Sequence, residues 1–307
     1  MNVFLFSGQG SQTPGMGTEL AAACPEAKKV FDTASGVLGF DLLKLCAEGS
    51  PEELAATEVA QPAIMATSLA AFACLQEAGI PFSAVAGHSL GEYAAMVAAE
   101  MLSLEDGFAL IRRRAEAMGR CAAAGKGGAM AAIVGSDEET VAKVCGETEG
   151  YVVPVNFNAP SQTVVAGDRE AVAAVSAKFV GMGKRAIPLA VAAAFHSKRM
   201  QSAADEFRPE AEKFTFRMPS VPFYSNLTGA PITGVDGMAE RLARHIVSPV
   251  LFTKELTAMQ AAGISTYVEL GPGKVLAGLV KKTLKDVTIL NVENQKTLDK
   301  ALETLQG

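Results

Sequence analysis

Apolar positions along the chain alternate between short unbroken runs and longer stretches where they recur every three or four residues. Val3–Phe6 and Ala84–Gly87 are runs of the first kind, the pattern of strands buried on both faces of a parallel sheet, and Thr266–Leu270 reads as a further strand. Helical spacing covers Glu19 to Leu45, with turns near Pro25 and at Gly36–Gly39. Gln61-Pro62 opens a second apolar helix through Leu75, closed by Gly79 and Pro81, and Tyr93–Ala99 forms a third. Ser50-Pro51-Glu52-Glu53 reads as a helix start, with a cap, a proline at the first helical position and acids in the first turn. Ser103-Leu104-Glu105-Asp106 begins a helix running to about Met118, whose apolar stripe is Phe108, Ile111, Ala115 and Met118. Ser248-Pro249-Val250-Leu251-Phe252 introduces another through Ala262, and Val221–Asn226 resembles an edge strand. Strands alternating with helices make the fold class α/β.

The pattern changes after Gly125-Lys126-Gly127-Gly128. Ala129–Val134 reads as a strand, Asp137–Thr148 as a helix, Tyr151–Asn156 and Thr163–Ala166 as strands around an Asn-Ala-Pro-Ser turn. A helix over Glu170–Met182 and a strand over Arg185–Val191 complete a β-α-β-β-α-β order, the ferredoxin-like arrangement. The chain therefore divides into a large α/β domain, residues 1–125 and 193–307, and an inserted subdomain, residues 126–192, too small for a stable core of its own.

Composition narrows the class. A chain of 307 residues, 49% hydrophobic, is ample for a packed core, and a net charge of −6 argues against nucleic acid as partner. Five scattered cysteines without a Cys-x-x-Cys pair read as thiols in a reducing compartment, neither a disulfide framework nor a metal site. Met1–Phe6 lacks the basic start of a signal peptide, and the apolar stretch Ala63–Leu75 is too short to span a bilayer. The expectation is a cytoplasmic, monomeric protein without membrane, metal or cofactor. Asn226-Leu227-Thr228 matches a glycosylation acceptor, which that compartment discounts.

The candidate chemistry centres on Gly87-His88-Ser89-Leu90-Gly91-Glu92. A Gly-x-Ser-x-Gly after a buried strand and before a helix is a nucleophile elbow, and equally an ordinary glycine-bounded helix start with Ser89 as cap. In the first reading the Leu90 N–H faces an oxyanion formed beside Ser89, and the turn Ser7–Gln12 brings up a second amide, that of Gln9. Gly8-Gln9-Gly10 is not a dinucleotide fingerprint, because Thr13 stands where a third glycine or alanine is required. Gly271-Pro272-Gly273-Lys274 is a turn and not a phosphate loop, since Val275 follows the lysine. Of three histidines, His88 adjoins the nucleophile with its side chain directed elsewhere and His245 sits in an Arg-rich helix. His196, at the junction of the two units, is the candidate base. Arg114 lies on the flank of the Phe108–Met118 stripe; the pattern favours a cation that reaches solvent or pairs with a structural carboxylate, while an external anion stays open.

Phe6-Ser7-Gly8-Gln9-Gly10-Ser11-Gln12, Gln61-Pro62-Ala63, Gly87–Tyr93, Arg114, Val155-Asn156-Phe157-Asn158, Phe195-His196-Ser197 and Glu269–Leu276, in this order and spacing, resemble the malonyl-CoA:acyl carrier protein transacylases of fatty acid synthesis. The resemblance covers nearly the whole chain. It implies a hydrolase-like α/β body with a serine elbow and a ferredoxin-like subdomain, malonyl-CoA as substrate and holo acyl carrier protein as partner. It implies Ser89 as acylated nucleophile, His196 as its base, Arg114 as the grip on the malonyl carboxylate, and the Gln9 and Leu90 amides as oxyanion hole. Gln61, His88, Asn156, Asn158 and Phe195 would complete the substrate site, and the Phe195-His196 pair resembles malonyl-selective members. Where some members carry a glutamine whose carbonyl holds the histidine, this chain has Leu251. Lys184, Arg185, Lys198, Arg199 and the face Lys281, Lys282, Lys285 are candidates for docking the carrier. The alternatives are a polyketide-pathway acyltransferase and a serine thioesterase or esterase. A hydrolase of this type usually has an acid between serine and a late histidine, whereas His196 is mid-chain.

Overall fold

The computed structural model describes residues 1–125, 128–191 and 193–306. The expected boundaries at Lys126 and Ala192 fall, with Gly127 and Gly307, outside the described residues. The large unit is built on a parallel sheet of β1 (Asn2–Phe6), β2 (Ala84–Gly87) and two late strands, β9 (Thr266–Leu270) and β10 (Thr288–Val292), in the order β10-β9-β1-β2. Alternate residues of each strand enter different cores. Phe4, Phe6, Val85, Val268 and Leu270 pack under the helices between residues 18 and 124, and Val3, Leu5, Ala84, Ala86 and Tyr267 pack against Val250–Leu284 on the other face. Burial on both faces is the reason β1 and β2 read as unbroken apolar runs.

The inserted unit holds β3 (Gly128–Val134), β4 (Val152–Ala159), β5 (Gln162–Asp168) and β6 (Arg185–Pro188), all antiparallel in the order β4-β5-β3-β6. The helices Glu138–Gly146 and Arg169–Gly181 follow β3 and β5. One sheet face, with Ala131, Ile133 and Val165, packs on Val141, Val175 and Phe179 of those helices. The other, with Met130, Ala132, Val164 and Ala166, joins the core of the large unit. The insert is thus stabilised through a shared core, as its size requires.

Several boundaries differ from expectation. The second apolar helix runs over Thr57–Glu77 with Pro62 inside it. By length and composition it could cross a membrane; 78% of its apolar window is instead buried in the core, so burial and not length decides its place. The helix opened by Ser103 continues to Ala124, and the edge strand shrinks to β7 (Tyr224–Ser225), paired with β8 (Ala230–Pro231). β10 and the helix Gln295–Gln306 lie beyond any expectation. β10 is an edge strand in mixed surroundings, with only Leu290 and Val292 buried, so it lacks the continuous apolar run that marks β1 and β2. Asn226 is fully buried, which removes the glycosylation reading on steric grounds.

β1 and β2 end level, Phe6 opposite Gly87, so the loops Ser7–Gln12 and His88–Leu90 leave the sheet side by side. β1 is where the strand order reverses, β2 lying on one side and β9 on the other, and crevices in open α/β sheets form outside the carboxyl ends of strands at such a point. The helix Gly91–Ala98 starts directly against this end. A Cβ on Gly91 would stand 2.1 Å from the Phe6 carbonyl oxygen, and one on Gly87 would stand 2.0 Å from the Gly91 carbonyl carbon. Both contacts are with backbone, which cannot swing aside. Gly91→Ala is therefore expected to cost at least about 1–3 kcal/mol, the range for overpacking a closed site. Thermal unfolding of the variant measures it, and an unchanged midpoint would mean the elbow can widen without penalty.

Candidate active site

Ser89 follows β2 with φ of 55°, in the left-handed region that L side chains rarely adopt. The turn lifts its hydroxyl into a cleft of about 250 Å³ between the two units. Gly8, Gln9, His88, Phe195 and His196 of the large unit line it, and the inserted unit contributes Asn156 and Asn158 with the apolar Met130, Ala132, Val164, Leu189 and Val191. The helix proper begins at Gly91, so Ser89 precedes the helix and does not cap it by its side chain.

His196 comes from the connection that returns the chain from the insert, also in left-handed backbone with φ of 61°. Its Nε2 is 2.7 Å from Ser89 Oγ, although 107 residues separate the two in sequence. Its Nδ1 lies 3.0 Å from the His245 carbonyl and 3.1 Å from the Ser248 carbonyl. Carbonyl oxygens only accept, so the ring proton sits on Nδ1 and the Nε2 lone pair faces the serine. Burial, with the Arg114 charge adding to it, pushes the imidazole down to about 3, and the resting base is neutral.

The holder of His196 is thus not Leu251. That residue opens the helix Phe252–Ala261, and its carbonyl accepts the Glu255 N–H at 3.1 Å instead. His245, set aside in the sequence as part of an Arg-rich helix, is fully buried with its ring 5.3 Å from that of His196. Its helix, Met238–Ile246, is amphipathic, and His245 falls on the buried stripe with Leu242, Ala243 and Ile246.

Arg114 is 1% exposed. Neither expected structural partner, solvent or a carboxylate, is present: among the described residues no acid forms an ion pair with it. Its Nη1 donates to Gln61 Oε1 at 2.6 Å and its Nη2 to Ser89 Oγ at 3.0 Å, with Cζ 5.3 Å from the centre of the Tyr93 ring. Nε has no partner among the described residues. Gln61 Nε2 in turn reaches the Met118 sulfur at 3.5 Å, which fixes the amide that steers the guanidinium. Removing such a cation from water costs several kcal/mol, and neutral acceptors return only part of that. The arrangement leaves a buried cation able to take an anion beside the Ser89 hydroxyl.

The remaining residues sort as follows. Among the described residues the Gln9 and Leu90 amides bond to no acceptor, and Gln9 lines the cleft. His88 turns away from Ser89, as expected, yet still faces the cleft, where its Nε2 meets Asn158 Oδ1 at 2.8 Å. Asn156 and Phe195 line the same cleft. Of the basic docking candidates, Arg199 is paired with Asp168 and packs with Lys198 on Tyr151, and Lys282 bonds Gln162, so these hold the two units together. Sequence reasoning passed over Asn226, Glu92, His245 and Glu255, which sit behind the elbow. Glu92 carried a faint signal, the one acid of an otherwise apolar helix Gly91–Ala98, in its first turn and fully buried.

The family model for the acyl transferase domain matches residues 3–301. The malonyl CoA-acyl carrier protein transacylase of Bacillus subtilis (strain 168) is 41% identical over 99% of this chain and 96% of its own length. The crystal structure of the malonyl CoA-acyl carrier protein transacylase from Clostridium perfringens superposes with a TM-score of 0.95 at 36% identity, covering 99% of this chain and 97% of that one. A malonyl-transacylase solved in complex with its type II PKS acyl-carrier protein gives 0.94 at 36% identity, with 99% of each chain covered. Likeness of this extent, in sequence and in backbone, places the chain in the acyl transferase family, among the malonyl CoA-acyl carrier protein transacylases.

Proposed function

We propose that the chain moves a malonyl group from malonyl-CoA to the phosphopantetheine thiol of holo acyl carrier protein, in two steps through a malonyl-Ser89 ester. The observation that carries this reading is the buried Arg114: a cation without a carboxylate, one hydrogen bond from a serine hydroxyl, fits an acyl group that brings its own anion. A neutral acyl chain would leave that charge uncompensated.

Ser89 Oγ attacks the thioester carbonyl as His196 Nε2 takes its proton. The oxyanion is held by the Gln9 and Leu90 amides, each worth about 2.7–4 kcal/mol where such donors have been removed from other enzymes. His196 returns the proton to the departing CoA sulfur; the carrier thiol then enters the same cleft, gives its proton to His196 and attacks the ester carbonyl, and Ser89 Oγ leaves with that proton as the new thioester forms. Arg114 lowers the basicity of His196 in the free enzyme. A bound malonyl carboxylate offsets that charge, so the acceptable substrate strengthens its own base. Gln61 orients Arg114, while His88, Asn156, Asn158 and Phe195 shape the cleft around the acyl group. The docking of His196 Nδ1 on two carbonyls supports a Ser–His dyad over the triad of a serine hydrolase.

The strand order β4-β5-β3-β6 supports reading residues 126–192 as a ferredoxin-like subdomain, inserted in a hydrolase-like body of residues 1–125 and 193–307. Fatty acid synthesis is the pathway that the curated relative supports; the relative seen with a type II PKS carrier keeps a polyketide role as the second reading.

Intact mass after incubation with malonyl-CoA tests the reaction. Wild type is expected to gain one malonyl group and lose it to added holo carrier protein, and Ser89→Ala to gain none; an adduct lost to water at the same rate with or without carrier would make the protein a hydrolase. Arg114→Ala is expected to lower the preference for malonyl-CoA over acetyl-CoA about ten- to hundredfold, the equivalent of one charge-assisted bond of about 1.5–3 kcal/mol. Equal selectivity in a competition assay would remove Arg114 from substrate binding. Because His196 is held far below the ordinary imidazole range, the acylation kcat/KM is expected to stay level from pH 8 to about 5 and to fall only as the buried ring protonates. An acid limb centred near 6.5 would show a hydrated base.

A further inference from the structure

Behind the elbow lies a group of buried polar residues that the two-step chemistry does not use. Asn226 is 0% exposed, and its side chain spans the turn. Oδ1 accepts from Ser89 N at 2.7 Å and Nδ2 donates to Gly87 O at 2.7 Å, one on each side of His88. A carboxamide offers one acceptor and two donor hydrogens, which suits a turn presenting one N–H and one C=O. The second Nδ2 hydrogen goes to Glu255 Oε1 at 2.8 Å, the Asn226 N–H to Glu92 Oε1 at 2.5 Å, and the Asn226 carbonyl accepts Leu251 N–H at 2.9 Å. Every polar atom of Asn226 is engaged, so its position is over-determined.

Two consequences concern the reaction. The left-handed Ser89 backbone, which a residue with a Cβ rarely adopts, is clamped at both ends. With the Ser89 amide occupied by Asn226, the next one, Leu90 N–H, is the amide left for the oxyanion. Glu92 then connects this clamp to the base. Its Oε2 stands 3.2 Å from His245 Nδ1, off the line of a hydrogen bond, and the carbonyl of the same His245 accepts His196 Nδ1–H. The path Ser89–Asn226–Glu92–His245–His196 closes on itself through the 2.7 Å contact between Ser89 Oγ and His196 Nε2.

We infer that Asn226 and Glu92 are positioning residues for the acyl transfer: Asn226 holds the nucleophile's turn and its oxyanion amide, and Glu92 ties that turn to the segment that holds the base. The inference rests on Ser89 and His196 acting as proposed above. A cluster that served stability alone would change the unfolding midpoint without separating turnover from substrate binding.

The test measures the Ser89 malonylation rate at saturating malonyl-CoA, the KM for malonyl-CoA, the thermal midpoint, and the labelling rate of Ser89 by a fluorophosphonate, a probe that needs no acyl donor. Asn226→Ala is expected to slow malonylation about 100-fold with KM within about twofold, the scale of a sub-ångström misplacement or a lost oxyanion donor. Fluorophosphonate labelling is expected to slow in parallel. Glu92→Gln keeps an oxygen for the Asn226 N–H and is expected to stay within about threefold of wild type, whereas Glu92→Ala falls at least about tenfold. A folded Asn226→Ala with wild-type rates overturns the inference, as does a Glu92→Gln no better than Glu92→Ala. If Asn226→Ala fails to fold, the Glu92 pair decides alone. A wild type that accepts fluorophosphonate at Ser89 but no malonyl would overturn the proposed substrate, while the labelling rates would still judge the positioning roles.

Discussion

The site depends on the close approach of three backbone segments, the ends of β1 and β2 and the first turn of the helix Gly91–Ala98. Gly87 and Gly91 lie within van der Waals exclusion of each other and of the Phe6 carbonyl, so no side chain fits between them. That closeness forces residue 89 into left-handed backbone and lifts its hydroxyl clear of the sheet. The parallel register of β1 and β2 also makes the loops that carry Gln9 and Leu90 leave the sheet together. Strain of this kind persists where the surroundings over-determine it, and here a single buried asparagine holds both ends of the turn.

Electrostatics follow from the same packing. Two groups that would normally be charged or solvated, Arg114 and His196, are enclosed beside one hydroxyl. Burial acts on them differently. The guanidinium stays charged because its intrinsic basicity is very high; the imidazole stays neutral, with its Nε2 lone pair toward the Ser89 hydroxyl. In the proposed reaction the opposition is useful, because a protonated imidazole beside a cation would lose the base and a neutral residue at 114 would lose the anion site.

The inserted unit adds the second wall. Its sheet turns one face to its own helices and the other to the large core, so Met130, Ala132 and Val164 can line a cleft while remaining anchored. The contacts of Arg199 with Asp168 and of Lys198 with Tyr151 brace the junction next to His196. The base therefore stands on the seam of two packed bodies, reached from the insert on one side and from the His245–Ser248 segment on the other.

Sequence alone determined the elements whose signal is local. Buried parallel strands read as apolar runs, Ser50 and Ser103 announced their helices through side-chain caps, and the glycines flanking Ser89 announced a turn no other residue permits. The family motifs also brought Ser89, His196, Arg114 and Gln61 into one list. What the list could not contain is distance. Whether Arg114 met solvent, an acid or the nucleophile depended on how the helix Leu104–Ala124 packs on Thr57–Glu77, and periodicity gives a helix face but not its neighbour. Whether the Leu251 carbonyl holds His196 stayed open for the same reason, since a carbonyl carries no sequence identity and only the start of the next helix removes it from use. Asn226, Glu92 and His245 come from a turn and two helices far apart in the chain, and as residue types they are unremarkable. Tertiary packing alone decided that they meet, because a buried polar group has to find partners wherever the fold brings them.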